Sequence, residues 1–194
     1  MRGDIVYLRR CKLMLISKFA SDNVDVRLKE YEKIIGKRLP NQYRQFILKY
    51  NGGETPNTSY KINGVSSDLR VLYGLGNEKY PLDLIRTIGN ENQEYLAIGC
   101  DSFGNEIFID IVKGAIYFGN HENGKITKLT SDFKTFINIC ESKKINSASM
   151  KSVEERENDL IKRGRGNIIT EELRNMWRAE IAKNSLLKLE EIAI

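Results

Sequence analysis

The chain has 194 residues, of which 41 % are hydrophobic and 29 % charged, with a formal net charge of +5. That composition suits one globular domain with an appendage, and no run approaches the roughly 18 apolar residues of a membrane span. Divided along the chain, the charge argues against a nucleic-acid binder. Residues 1–13 hold four Lys/Arg against one acid, 14–144 hold 18 against 16, and 145–194 hold nine against nine, so the excess sits in a short leader and not on a folded face.

The leader, MRGDIVYLRRCKLMLISKF, has basic residues and a short apolar patch but neither a continuous apolar core nor a small-residue cleavage site, which predicts a cytoplasmic protein. Residues 1–15 are read as a leader of uncertain status, with Met14 as an alternative start. Cys11, Cys100 and Cys140 are far apart and odd in number, which fits a reducing compartment and small buried thiols better than a disulfide framework.

From Ile16 to Ile35 the apolar residues Ile16, Phe19, Val24, Val26, Leu28, Tyr31, Ile34 and Ile35 predict a helix interrupted near Ser21-Asp22-Asn23, with Asp22 or Asn23 capping the second piece. The Leu39-Pro40 pair then starts another helix, on which Tyr43, Phe46, Ile47 and Tyr50 share a face. Asn51-Gly52-Gly53 stops it, because glycine takes the left-handed conformation a helix C-terminus needs. The polar stretch ETPNTSYKINGVSSD, rich in turn formers, reads as a surface loop.

Beyond it the pattern changes. Leu69–Tyr73, Tyr95–Ile98, Glu106–Val112, Ala115–Phe118 and Lys125–Leu129 are short, β-branched or aromatic, and separated by glycine-bearing turns. Pro81–Ile88 reads as a short helix or an irregular piece. Spacing this tight leaves no room for crossover helices, so the later strands are predicted to be mainly antiparallel. Ser131–Glu141 returns to helical spacing, with Ser131 or Asp132 as cap and Phe133, Phe136, Ile137 and Cys140 on one face.

The expectation is an α+β fold, N-terminal helices packed on a mainly antiparallel, curved sheet over residues 16–144, with a C-terminal helical extension over 145–194. The extension is predicted to carry a helix near Val153–Arg163, a break at Gly164-Arg165-Gly166, and a stronger helix at Glu171–Lys183 capped by Thr170. Leu173, Met176, Trp177 and Ile181 line one side of the second helix, to pack on the parent domain or to meet a partner. The basic run Lys162-Arg163-Gly164-Arg165 stands among acids and reads as a solvated face.

The residues that could carry chemistry are few. His121 is the single histidine, which excludes a multi-histidine metal site and leaves one candidate base for a Ser or Cys nucleophile. No G-x-S-x-G elbow, phosphate loop or complete dinucleotide fingerprint is present. Asp101–Glu106 starts like a calcium loop but lacks a ligand at the third position and has Val112 at the twelfth, so a hairpin connection is the better account. No enzyme, no cofactor and no metal is expected.

Three segments line up in order. They are Leu39-Pro40 through Tyr43, Phe46 and Tyr50-Asn51-Gly52-Gly53; Ile98-Gly99-Cys100-Asp101-Ser102-Phe103-Gly104-Asn105-Glu106-Ile107; and Gly114-Ala115-Ile116-Tyr117-Phe118-Gly119-Asn120-His121-Glu122. Together they resemble the helical signature, the central IG-D-x-x-G-N hairpin and the G-x-I-Y-F…H-E strand of the SUKH superfamily, across roughly residues 16–141. The resemblance implies a compact α+β domain whose sheet presents a surface to protein ligands. It also implies an immunity protein that binds and neutralises a cognate protein toxin, often a nuclease; the alternative within the same superfamily is a regulatory scaffold without a toxin partner. No catalytic residues carry over. The partners implied are a toxin, with no direct nucleic acid and no membrane, and the chain would be a monomer or homodimer. The near-neutral body is not a global DNA mimic, so a local acidic patch or an exosite would serve a basic target. Candidate contacts are Glu54, Asp101, Asn105, His121 and Glu122; for Asp101, Asn105 and His121 the competing role is to build turns.

Overall fold

Asn41–Tyr50 forms the helix that the spacing predicts, in a computed structural model that describes residues 13–82, 85–87, 94–143 and 151–194. This helix, α2, buries Tyr43, Phe46, Ile47 and Tyr50. At roughly 1.5–3 kcal/mol for each large apolar side chain removed from water, that face is a main contributor to stability. Phe133 receives it, with ring centroids 5.1 Å from Tyr43 and 5.2 Å from Phe46. Phe133 opens α3 (Phe133–Ile139), and of the two predicted caps Asp132 does the capping, accepting the Thr135 N–H at 2.9 Å. The preceding helix, α1 (Val24–Ile34), is joined to α2 by Glu32, whose carboxylate accepts both the Leu39 N–H at 3.0 Å and the Arg44 Nε–H at 3.1 Å.

Two segments differ from the sequence reading. Leu15–Lys18 is a strand, β1, and not the start of a helix, so the helix begins only at Val24. The stretch read as a polar loop is instead a long hairpin, β2 (Gly53–Ile62) and β3 (Val65–Leu72). Asn63 and Gly64, at φ 48° and 79°, make its two-residue turn, which needs positive φ at both positions. Pro56 is tolerated because the register slips between Glu54 and Thr58, so its missing N–H falls at a bulge.

The remaining strands are β4 (Ile85–Thr87), β5 (Glu94–Cys100), β6 (Glu106–Asp110), β7 (Ile116–Gly119), β8 (Ile126–Thr130), β9 (Glu141–Ser142) and β10 (Leu189–Glu191). Ile85–Thr87 is thus extended, not helical, while residues 83, 84 and 88 of the segment read as Pro81–Ile88 lie outside the described residues. The main strand order is β10-β1-β2-β3-β5-β6-β7-β8, with β4 on β5 and β9 on β2. The described pairs of strands are antiparallel. The sheet curls enough that the Asn63 amide at the tip of β2–β3 donates to the Lys128 and Leu129 carbonyls of β8, at 3.1 and 3.0 Å. The fold is α+β, with the helices covering Leu72, Leu96, Ile98, Ile107, Ile109 and Ile116 on one sheet face.

The chain divides into two compact units. One runs through Ser142 and resumes over Glu190–Ile194; the other is Lys143–Leu189. The helical region read as running to the C-terminus therefore ends before it, because Leu189–Glu191 adds a strand to the sheet and Glu190–Ile194 belongs to the first unit. The second unit holds α4 (Val153–Lys162), a 3-10 turn at Gly166–Ile168 and α5 (Glu171–Leu186). Ser152 and Glu155 form a capping box on α4, and Thr170 caps α5 as expected. No residue of either helix is fully buried. Charge pairs tie the two together, Arg156 to Glu180 at 2.8 Å and Arg174 to Glu157 at 2.5 Å, and the Arg156 guanidinium also lies over the Trp177 ring. Leu173, Trp177 and Ile181 are half-buried, whereas Met176, counted with them from spacing, is exposed.

Candidate functional site

The helical signature that ends in Asn51-Gly52-Gly53 is a clamp, and its residues are set by close approach. Asn51, not glycine, takes the left-handed C-cap, at φ 51°. Its buried amide reaches three main-chain groups: Nδ2 donates to Ala20 O at 2.8 Å and Leu75 O at 3.1 Å, and Oδ1 accepts from Leu75 N at 2.9 Å. A Cβ at Gly52 would land on the carbonyls of Leu72, the last residue of β3, and of Tyr73 just after it, and one at Gly53 on Ser17 O of β1. Only glycine lets the chain pass between those strands. Asn51, Gly52 and Gly53 of this signature therefore build the domain.

Four of the five candidate contacts come together at one end of the sheet, where the β5–β6 and β7–β8 turns meet. Asp101 is buried, and both carboxylate oxygens are fully used. Oδ1 accepts the Phe103 and Asn105 N–H groups at 2.9 and 2.8 Å; Oδ2 accepts the Ser67 hydroxyl and Asn105 Nδ2, both at 2.7 Å. Four donors saturate a carboxylate, so Asp101 has nothing left to offer a partner.

Asn105 passes the arrangement on to the next turn. A carboxylate only accepts, so the amide nitrogen must face Asp101 and Oδ1 must face His121. That oxygen takes the His121 N–H and the ring Nδ1, each at 3.0 Å. An amide oxygen cannot donate, so Nδ1 carries the proton and Nε2 is the acceptor of the neutral ring. His121 itself is exposed, and so is Glu122, whose N–H donates to Asn120 Oδ1 at 2.9 Å. The β7–β8 turn is thus held to the β5–β6 turn by a buried Asp–Asn pair.

Glu54 is not part of this group. It lies on β2 in the cross-strand row Ser17, Glu54, Val71, Cys100, Glu106, Gly119, so two strands separate it from β6. Lys79 stands 3.9 Å from its carboxylate.

Sequence reasoning missed two members of the site. Asp68 on β3 holds the β5–β6 turn from the other side, accepting the Ser102 N–H at 3.2 Å and its hydroxyl at 2.5 Å. Phe103, at the tip of that turn, has 71 % of its surface exposed although its main chain is tied down. The signal for Phe103 was present, an aromatic in the middle of a polar turn, but it was counted only as part of a motif.

Among the described residues, no group of three or more His, Cys, Asp or Glu side chains is placed to hold a metal ion, and no helix is long and apolar enough to cross a membrane. Neither Cys100 nor Cys140 is in a disulfide, and burial pushes the Cys100 thiol up from its ordinary value. Cys11 lies outside the described residues.

Comparison with known proteins finds a curated relative and a matching family profile. The chain is 32 % identical to the SPbeta prophage-derived uncharacterized protein YokK of Bacillus subtilis (strain 168), over 54 % of this chain and 66 % of that protein, so it spans just under two thirds of that relative's length. The SUKH profile described as SMI1-KNR4 cell-wall matches residues 25–137, which takes in α1 through most of α3 and all three motif segments. By that match over more than half its length, the chain belongs to the SUKH family.

Proposed function

We propose that this chain is an immunity protein, a non-enzymatic cytoplasmic antidote that neutralises a cognate toxin, of the nuclease class, by stoichiometric protein–protein binding. The observation that carries the reading is family membership, because SUKH proteins are known as immunity proteins of toxin systems. The rigid turns at the end of the sheet suit the role physically. An antidote must leave almost no lethal enzyme unbound, and turns already locked before binding lose little conformational entropy on association. Affinities for such pairs can approach the non-covalent ceiling of about 10⁻¹³–10⁻¹⁶ M.

A second reading is favoured by the cell-wall description attached to the matching profile: a regulatory scaffold of the same family without a toxin partner. Co-expression with the toxin domain encoded beside this gene separates the two. Rescue of growth together with a stable one-to-one complex supports immunity. Absence of both, with the two proteins folded, turns the reading to the scaffold.

A further inference from the structure

We infer that Phe103 is the anchor of the partner interface, inserted into an apolar pocket on a basic protein surface, with the acids of the two adjoining turns as its rim. The inference rests on the reading of this chain as a stoichiometric binder and names the part of the surface that does the binding.

Exposing a phenylalanine to water is unfavourable, and most large apolar side chains of unit one are buried. Phe103 is 71 % exposed, on a turn that has little freedom to fold it away. Its N–H is held by buried Asp101, Ser102 before it is held by Asp68, and Asn105 after it is held by Asp101 and bonded to His121. The turn thus spends seven side chain-mediated bonds on fixing the position of a side chain that touches little of its own protein. Rigid aromatic side chains that project from preorganised backbone are the usual energetic centres of protein interfaces.

Charge identifies the occupant. The turns at 101–106 and 120–125, with Asp68 bonded to them, carry Asp68, Asp101, Glu106 and Glu122 against Lys125, and with exposed Arg70 of β3, whose charge also reaches Cys100, the acids still lead four to two. Asp101 contributes field without contact, because its hydrogen-bonding capacity is used internally. A local negative potential around an apolar anchor fits a basic surface such as an enzyme presents to a polyanion, and does so although the body of the chain is near neutral. A second copy of this chain would bring the same acids against each other and is disfavoured.

The test compares Phe103→Ala with Val112→Ala, using the toxin domain encoded beside the gene as the probe. Val112 is 72 % exposed on the turn at the other end of β6, so it controls for loss of an exposed apolar group as such. Both variants should keep the wild-type unfolding midpoint. Phe103→Ala should weaken the complex by at least about thirtyfold, chiefly through faster dissociation, while Val112→Ala stays within about twofold. Unchanged affinity in Phe103→Ala, with wild type binding tightly, overturns the anchor and leaves the immunity reading standing. A wild-type protein that neither binds nor protects overturns the immunity reading, and the anchor falls with it.

Discussion

The Tyr50 hydroxyl, at the end of α2, accepts the Ala193 N–H at 2.9 Å and lies 3.2 Å from the Glu191 carbonyl, to which it donates. One phenol thus fastens the C-terminal strand from both sides, across 143 positions of sequence. Tyr50→Phe keeps the ring in the core and removes both bonds. The expected loss is about 1–2 kcal/mol in urea denaturation, with faster amide exchange confined to residues 191–194. Unaltered exchange there would show that β10 is held by its pairing with β1 alone.

Asn51→Ala should be costlier. It leaves Ala20 O, Leu75 O and Leu75 N without their side-chain partner in a buried place, and puts a Cβ-bearing residue without a local hydrogen bond in the left-handed region. Together these amount to roughly 3 kcal/mol. Denaturation measures it, and a loss under about 1 kcal/mol would mean that water or a shifted loop replaces the amide.

Glu122→Lys probes the acidic rim of the proposed interface, and Glu54→Lys, on a strand separated from β6 by two others, probes how far that interface extends. Glu122→Lys is expected to weaken toxin binding more than tenfold at low salt, less so as ionic strength rises, because rim charges act mainly on association. Glu122 adjoins the locked turns and should matter more than Glu54, which is strands away beside Lys79. If neither changes affinity, the interface lies elsewhere on the chain.

The cap of α3 sets a pH dependence. The Thr135 main-chain N–H, and then its hydroxyl and that of Ser131, hold the Asp132 carboxyl below its usual range. A carboxyl with a depressed folded-state pKa stabilises the fold above the unfolded value of about 3.9, and that contribution is lost as pH falls through the folded value. Asp132→Ala should therefore cost about 1 kcal/mol at pH 7, with the difference from wild type narrowing below about pH 4. A difference that stays constant down to pH 2 would assign the effect to shape and not to charge.

Much of the fold was legible wherever burial is carried by apolar side chains. The spacing of Tyr43, Phe46, Ile47 and Tyr50 located α2, and aliphatic runs located β5 to β8. The β2 strand was hidden because threonines do part of its inward work. Thr55 and Thr58 are buried, their hydroxyls bonded to Leu69 O at 2.6 Å and to the Ser142 hydroxyl at 2.6 Å. A polar residue satisfied by a distant partner looks, in sequence, like a loop residue. Asn63-Gly64 was a legible turn signal that went unread because the strands beside it were polar. β10 had no local signal, since three residues pair only through a strand far away in the chain. At the candidate site the motif was visible, but the division of labour within it was not. Asp101 and Asn105 look like exposed polar residues and are internal struts, while Phe103, an aromatic in the same polar turn, faces water.

Ser142 donates its N–H to Leu13 O at 2.8 Å and accepts from Leu15 N through its hydroxyl, also at 2.8 Å, while Ile192 N donates to Met14 O at 2.9 Å. The polypeptide leaves the first unit and returns to it at the same three residues. Both attachments are made between residues of the first unit, so neither depends on a side chain of the segment between them. Loop closure changes by only about 0.6 kcal/mol per doubling of length, so the intervening segment can grow, shrink or be exchanged at small thermodynamic cost. Joining Ser142 to Glu190 by a short Gly/Ser linker should leave a cooperatively unfolding domain with an unfolding midpoint within a few degrees of the parent. Loss of cooperative unfolding in that deletion would mean that the helices are required for folding.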